Sequence, residues 1–359
     1  MEQLTFFDLA NHFGLEEEQI ISSPKNISNN LLNNISCGDC LKLLRNLPNE
    51  SVDLIVSSPP YNIGKVENDR KPIESYLNWQ KNILAECHRT LKSKGSIFWQ
   101  VGTYVDNNKY HIPLDIRFFP ILESLGMIPR NRIVWIRPHG VHAKLKFSGR
   151  YETILWFTKT MNYNFFLDPI KVPQKYSNKK YWKGEKKGEL SCDPLGKNPG
   201  DIWAFRNVRH NHEEDTVHPA QFPEDLVRRI ILCTTVPGDI VLDPFMGVGT
   251  TAVVAKRLNR FYCGAEINEE YVSIANQRIS CQPDSNLNFP NLKTLREYAK
   301  KKGVNDVSTY KFTRQRKGSI PSLKSRAFPE EHHNREIIKR IEFEADNSID
   351  NIFDMLIKE

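Results

Sequence analysis

Apolar residues along this chain fall into two periods. Val52 to Val56 in SVDLIVS, and the runs SIFWQVG, NRIVWIR and YETILWFTK, are short and rich in β-branched and aromatic residues, which predicts buried strands. Between the first two, Tyr76, Trp79, Ile83, Leu84, Cys87 and Leu91 recur at helical spacing, predicting a helix from about Ser75 to Leu91 that Gly95 stops. Strand, helix and strand in that order are the unit of a parallel sheet. The pattern dissolves between Met161 and Asp215 into Lys, Gly, Pro and aromatics, and regular structure returns near His218. There PEDLVRRIILCTT predicts a helix, DIVLDP a strand, TTAVVAKRLN a helix, RFYCGAEI a strand, and Glu269 to Ser280 a last helix.

These shifts divide the chain into an N-terminal appendage over 1–30, one half of an α/β domain over 31–160, an irregular insertion over 161–215, the other half over 216–281, and an extension over 282–359. A length of 359 residues with 39% hydrophobic and 26% charged residues suits one large core and a smaller module. No run approaches eighteen apolar residues and the acidic N-terminus lacks a secretory pattern, so a cytoplasmic location without membrane contact is expected. Among the seven cysteines only Cys37 and Cys40 are close, and a lone C-x-x-C is a weak zinc signal, so no metal is expected. The formal charge of +7 is equalled by the surplus within residues 282–330, which hold 11 Lys or Arg against 4 Asp or Glu.

In VLDPFMGVGTTA, Gly247 and Gly249 follow a strand and open a helix, where glycine lets backbone approach a ligand and free N–H groups favour polar or anionic atoms. Glu266 ends the next strand, where a carboxylate can accept from both ribose hydroxyls. Together they predict a nucleoside site. Gly247, Gly249 and Ala252 also fit the dinucleotide spacing G-x-G-x-x-A, so an NAD-dependent oxidoreductase competes. Against it, Asp243 and Phe245 bring a carboxylate and a ring suited to a cationic ligand, and a dehydrogenase gives no reason for the corner at Ser58, Pro59, Pro60 and Tyr61.

That corner ends a buried strand. Proline offers a carbonyl and no N–H, so the corner presents acceptors, the Ser58 hydroxyl and the Pro59 carbonyl, which an exocyclic amine requires. Holding the two amine hydrogens there draws the nitrogen lone pair out of conjugation and aims it at an electrophilic methyl, while Tyr61 can stack on the base.

With these residues in place the chain resembles the DNA amino-methyltransferases, which use S-adenosylmethionine to methylate cytosine N4 or adenine N6. Their corner is Asp, Asn or Ser, two prolines and an aromatic residue, here Ser58 to Tyr61, and their cofactor loop resembles Asp243 to Thr250. The corner precedes a recognition region and the cofactor loop comes last, as in the beta subgroup. The segments around Asp39 in CGDCLKLL, GRYETILWFTK from Gly149 and HPAQFPEDL from His218 fit as well. The resemblance covers roughly residues 30–280. It implies a class I methyltransferase fold, a Rossmann-like, mostly parallel seven-stranded sheet with helices on both faces, carrying an irregular target-recognition insertion; the basic C-terminal extension lies outside the resemblance. It implies an S-adenosylmethionine site at Asp39, Asp243, Phe245, Gly247, Gly249, Thr250 and Glu266, double-stranded DNA as substrate, and a cognate restriction endonuclease acting on the same site. Ser58 leans toward cytosine N4, with adenine N6 left open. A catalytically silent DNA-binding module is the remaining alternative.

DNA is expected on two lysine-rich stretches. KKYWKGEKKG interleaves Lys179, Lys180, Lys183, Lys186 and Lys187 with Tyr181 and Trp182, suiting phosphate contacts and a brace for a vacated stack, and GVHAKLKFSGRYE adds Lys144, Lys146 and Arg150. His139, His142, His210 and His212 are read as surface or DNA-facing imidazoles. The basic tail from Lys311 is either an accessory DNA element or a solubilising extension. Ile337, Ile338, Ile341, Phe353, Leu356 and Ile357 offer an apolar face for the body or for a second subunit of a homodimer.

Overall fold

The computed structural model describes residues 27–62, 70–106, 110–137, 143–172, 179–193, 196–208, 212 and 214–280. The N-terminal appendage before Ile27, the extension after Ser280 with its basic tail and homodimer face, and His139, His142 and His210 lie outside the described residues.

The chain divides into two compact units, one containing residues up to Phe166 and from Phe205, the other containing Leu167–Ala204. In the first, β1 (Asn34–Cys37), β2 (Val52–Ser57), β3 (Leu91–Val101), β6 (Ile128–Ile136), β7 (Tyr151–Thr158), β9 (Ile240–Asp243) and β10 (Phe261–Glu266) form one sheet in the order β1, β10, β9, β2, β3, β7, β6, and β4 (Thr103–Val105) and β5 (His111–Pro113) form a separate hairpin. β1, β10, β9, β2 and β3 pair parallel, and β7 runs antiparallel to both its neighbours. The mostly parallel α/β architecture is the one expected.

Alternation along the strands makes two buried faces. Ile97, Trp99 and Val101 join the cluster built by α1 (Cys40–Asn46), α2 (Ile73–Thr90) and α3 (Leu114–Ser124). Phe98, one residue out of phase, instead stacks on Trp156 at 5.3 Å. The second helical layer, α4 (Glu224–Thr234), α5 (Thr250–Arg257) and α6 (Glu269–Ser280), packs in sequence, with α4 against β2 and β3 and α5 against β9 and β10. Strands buried on both faces explain their near-continuous apolar runs.

Two readings of the sequence change. Gly95 does not stop α2: the helix ends at Thr90, the Leu91 N–H caps it through Cys87 O, and Leu91 already pairs with Val52 in β3. Gly95 lies within β3, where any Cβ would meet Asp53 O at 2.9 Å and Leu91 Cδ1 at 2.5 Å, so the position requires glycine. The strands β1, β4 and β5 and the helices α1 and α3 have no counterpart in the predicted elements; in α3 Pro120 interrupts the pattern from inside.

In the second unit, β8 (Ile202–Ala204) follows an irregular chain. Lys171 ion-pairs with both Asp168 and Asp193 at 2.5 and 2.7 Å. Residues 179–191 fold back on themselves through Tyr181 N–H to Glu189 O at 2.9 Å, Gly188 N–H to Tyr181 O at 3.0 Å and Ser191 N–H to Lys179 O at 2.8 Å.

If Gly95 marks close approach and not a helix terminus, Gly95→Ala lowers stability by about 1–3 kcal/mol, because the backbone carbonyl of Asp53 has nowhere to move. Chemical denaturation checks this, and an unchanged or raised midpoint contradicts it.

Candidate active site

Strand order reverses between β2 and β9, which pair through Leu54 with Val241 and Ile55 with Leu242. At such a switch point the loops leaving the two strands diverge and open a crevice beyond their carboxyl ends. The chain after β2 is the Ser58 corner and the chain after β9 is the glycine turn, so adjacency of two strands brings together motifs some 190 residues apart.

The junction is held by Asp243. Its Oδ1 accepts from Ser57 Oγ at 2.5 Å and from the Phe245 N–H at 3.0 Å, and its Oδ2 accepts from Thr251 Oγ1 at 2.6 Å. Burial pushes this carboxyl up to about 6, and the same three hydrogen bonds oppose the shift. Asp243 therefore ties β2, β9, the turn and α5 together, and it does not line the cleft.

Gly249, in the left-handed region with φ +83°, does not line the cleft either. A Cβ there would come within 2.7 Å of Ala275 Cβ, so this glycine lets α5 pack on α6. Gly247, φ +54°, does face the cleft, beside His218. The turn is braced from below: Arg278 donates to Val248 O at 2.6 Å and ion-pairs with Glu224 at 2.8 Å.

The cleft measures about 410 Å³. Of the expected cofactor residues Asp39, Phe245, Gly247, Thr250 and Glu266 line it, together with all four corner residues. Both Glu266 oxygens are fixed, Oε2 by the Gly247 N–H at 2.9 Å and Oε1 by the Asn268 N–H at 2.8 Å, which orients the carboxylate without spending all its acceptor capacity. Asp39 caps α1 through Leu41 N–H at 2.6 Å. Phe245 meets Trp79 edge-on at 5.7 Å and Trp99 at 6.0 Å, so one wall is aromatic. Carboxylates and aromatic rings around one cleft suit a cofactor carrying both a ribose and a sulfonium.

The corner itself is rigidly wired. Tyr76 Oη donates to Pro60 O at 2.7 Å, so this carbonyl is already engaged. Ser58 Oγ donates to Gln100 Oε1 at 2.5 Å, Tyr61 Oη donates to the same oxygen at 2.6 Å, and Gln100 Nε2 donates to Glu152 Oε2 at 2.5 Å. Arg137 pairs with the other Glu152 oxygen at 2.9 Å. Burial, with the Glu152 charge adding to it, holds the Tyr61 phenol well above its ordinary value, so it remains a neutral donor. The Tyr61 ring lies against Gly102, where any Cβ would meet it at 2.8 Å.

Gln100, Glu152, Arg137, Lys71 and Arg278 escaped the sequence reading. Gln100 did leave a signal, a polar residue near the end of the apolar run SIFWQVG, and Glu152 another, opening YETILWFTK. Trp79 was read only as helix core, yet it also lines the cleft, where Lys71 Nζ sits 4.9 Å over its ring.

None of the lysines expected at DNA lines the cleft. In the first unit Lys144 and Lys146 are exposed beside fully exposed Leu145 and Phe147, and Lys146 Nζ contacts His111. In the second unit Lys179, Lys180, Lys183, Lys186 and Lys187 are all exposed on the folded-back segment, with Trp182 83% exposed at its tip.

Residues 52–277 match the family model described as DNA methylase. The chain is 66% identical to the type II methyltransferase M.BglII of Bacillus subtilis over 352 residues, 97% of this chain and 98% of that protein. It is 38% identical to the DNA adenine methyltransferase YhdJ of Escherichia coli (strain K12) over 250 residues, 67% of this chain and 81% of that one. Among solved structures, the PvuII DNA methyltransferase (cytosine-N4-specific) superposes with a TM-score of 0.56 at 22% identity, covering 74% of this chain and 91% of that one, a likeness of fold. No helix among the described residues is long and apolar enough to cross a membrane. A family match over more than half of the chain and near full-length likeness to a type II methyltransferase establish that this chain belongs to the N6/N4 DNA methylase family, as an S-adenosylmethionine-dependent DNA amino-methyltransferase of the restriction–modification type.

Proposed function

We propose that the target is the exocyclic N4 of cytosine in double-stranded DNA, and that methylation protects the site from a cognate restriction endonuclease. The observation that carries amine methylation is the hydroxyl at the first position of the corner: Ser58 gives its proton to Gln100 and so turns its lone pairs outward as acceptors, and serine in place of aspartate there leans the choice toward cytosine N4. The likeness of fold to a protein named as cytosine-N4-specific agrees with the choice. Adenine N6 is the second reading, favoured by the identity to a protein named as an adenine methyltransferase.

S-adenosylmethionine, when bound, supplies an electrophilic methyl on a cationic sulfur. Asp39, Phe245, Gly247, Thr250 and Glu266 would hold it, Glu266 at the ribose and Asp39 at the adenine end, while Asp243 and Gly249 shape the turn from behind. Ser58 Oγ and the Pro59 carbonyl accept the two hydrogens of the target amine, pyramidalising the nitrogen and aiming its lone pair. The amine would take the methyl directly as the carbon–sulfur bond breaks, the bonding pair staying on sulfur as the neutral thioether product, and its surplus proton would pass to water. Tyr61, anchored through its hydroxyl, offers a ring to the flipped base. Lys144, Lys146 and the lysines of residues 179–187 are the phosphate-binding set, with Tyr181 or Trp182 bracing the vacated stack.

Nucleoside digests of DNA from cells expressing the gene, separated by mass spectrometry, should contain N4-methylcytosine at one recurring sequence. Finding N6-methyladenine instead moves the target to adenine. Finding neither overturns the assignment.

Ser58→Ala should lower turnover by about 100-fold or more while S-adenosylmethionine affinity stays within about twofold, since the hydroxyl acts on the base. Glu266→Ala should do the opposite, weakening the cofactor by roughly 10- to 100-fold through loss of a charged acceptor. Calorimetry and single-turnover transfer separate the two, and equal behaviour of the variants contradicts the division of roles.

Replacing Lys179, Lys180, Lys183, Lys186 and Lys187 together should flatten the dependence of log DNA affinity on log salt by roughly 0.9 for each phosphate that is no longer neutralised, with cofactor binding untouched. A parent-like slope places the DNA surface elsewhere.

A further inference from the structure

Gln100 cannot by itself decide which way its amide faces, because rotation by half a turn exchanges a donor for an acceptor at almost the same shape. Its surroundings decide. On one side are the hydroxyls of Ser58 and Tyr61, at 2.5 and 2.6 Å; on the other is Glu152, at 2.5 Å. Hydroxyls can donate or accept, whereas an ionised carboxylate only accepts, so Glu152 compels the NH2 to face it and leaves Oε1 toward the corner. Arg137, 2.9 Å from the other Glu152 oxygen, pins the carboxylate in place.

We infer that Glu152 is a positioning residue for methyl transfer: acting through Gln100, it sets the direction of the hydrogen bonds so that Ser58 donates inward and presents its lone pairs to the target amine.

With Oε1 inward, Ser58 and Tyr61 each have an acceptor for their single proton, and the Ser58 oxygen faces the cleft with acceptor capacity to spare. With the amide reversed, NH2 would donate into Ser58 Oγ, the serine proton would turn toward the cleft, and a donor would meet the N–H groups of the amine. Gln100 is buried at 3% exposure, so water has little room to repair a reversed chain. Tyr61 Oη is also within 3.1 Å of Glu152 Oε2, so the carboxylate holds the tyrosine directly as well as through Gln100. Arg137 directly follows β6, Glu152 lies in β7 and Gln100 in β3, and the pairing of these strands holds the relay in register. The direction of one hydrogen bond at the corner is thus fixed by a charge two groups away.

The inference rests on methyl transfer at the Ser58 corner, and a carboxylate swap tests it separately. In Glu152→Gln the facing amides no longer have a fixed direction, and kcat should fall by about a factor of 10 to 100 with KM for DNA and cofactor affinity near those of the parent. In the double variant Gln100→Glu with Glu152→Gln, the carboxylate at position 100 accepts from Ser58, Tyr61 and the new amide at 152. It restores the direction, and kcat should return to within about threefold of the parent. If Glu152 served only as the ion-pair partner of Arg137, the double variant would stay as impaired as the single one, because its carboxylate no longer faces Arg137. That result, or parent-like turnover in Glu152→Gln, overturns the inference. Ser58→Ala measured in the same series keeps the two ideas apart: full activity there removes the underlying reading, whereas an inactive Ser58→Ala beside a normal Glu152→Gln removes the relay alone.

Discussion

One buried carboxylate holds the site in shape. Asp243 ends β9 where the strand order reverses, and its hydrogen bonds reach Ser57 on β2, the Phe245 backbone in the turn and Thr251 on α5. A charge buried there is costly, which is why its carboxyl rises to about 6, and the cost is tolerated because every bond it makes is to a different element of the crevice. Ser57 leads directly into Ser58, and Phe245 forms the aromatic wall, so the corner and the aromatic wall of the cleft are referenced to the same carboxylate. Charge-assisted hydrogen bonds of this kind are short and directional, and they give a loop-built site some of the precision of its strands.

A second layer of polar wiring fixes the corner from the other side. Gln100 on β3, Glu152 on β7 and Arg137 just after β6 are remote in sequence from Ser58, yet antiparallel pairing of β7 with β3 brings Gln100 Nε2 within 2.5 Å of Glu152 Oε2. The strand inserted antiparallel into the sheet therefore carries polar wiring of the corner as well as core. On the cofactor side Glu224 and Arg278 support the glycine turn in a similar way, through Val248 O. Both networks sit behind residues that line the cleft, where preorganisation has to be supplied because proline-rich and glycine-rich segments lack side chains to brace themselves.

Much of this was legible in the chain. Strand and helix periods marked the long strands and most helices of the first unit, since strands covered on both faces are written as apolar runs and the helices are amphipathic, whereas the short β1, β4 and β5 and the helices α1 and α3 went unmarked. The corner and the glycine turn could be read because proline and glycine at strand ends have few other uses. Gly95 misled because a glycine after a helical stretch resembles a terminator, and only the approach of Asp53 O reveals its purpose. Asp243 and Gly249 were legible as important but not in their manner: the motif that contains them mixes residues facing a ligand with residues facing the scaffold, and only burial separates the two. Gln100 and Glu152 were hidden for another reason. Their meaning lies in a pairing across strands that no local pattern encodes.

The central claim is that the ends of β2 and β9 form one cleft in which cofactor and base meet. Hydrogen exchange with and without S-adenosylmethionine tests it on the whole chain. The account predicts slowed exchange on cofactor addition at Gly247, Val248, Ile267 and Asn268 and at the Tyr61 amide of the corner, with the segment from Lys179 to Ser191 unchanged. Protection confined to residues 179–191, or none at the turn after β9, would contradict it.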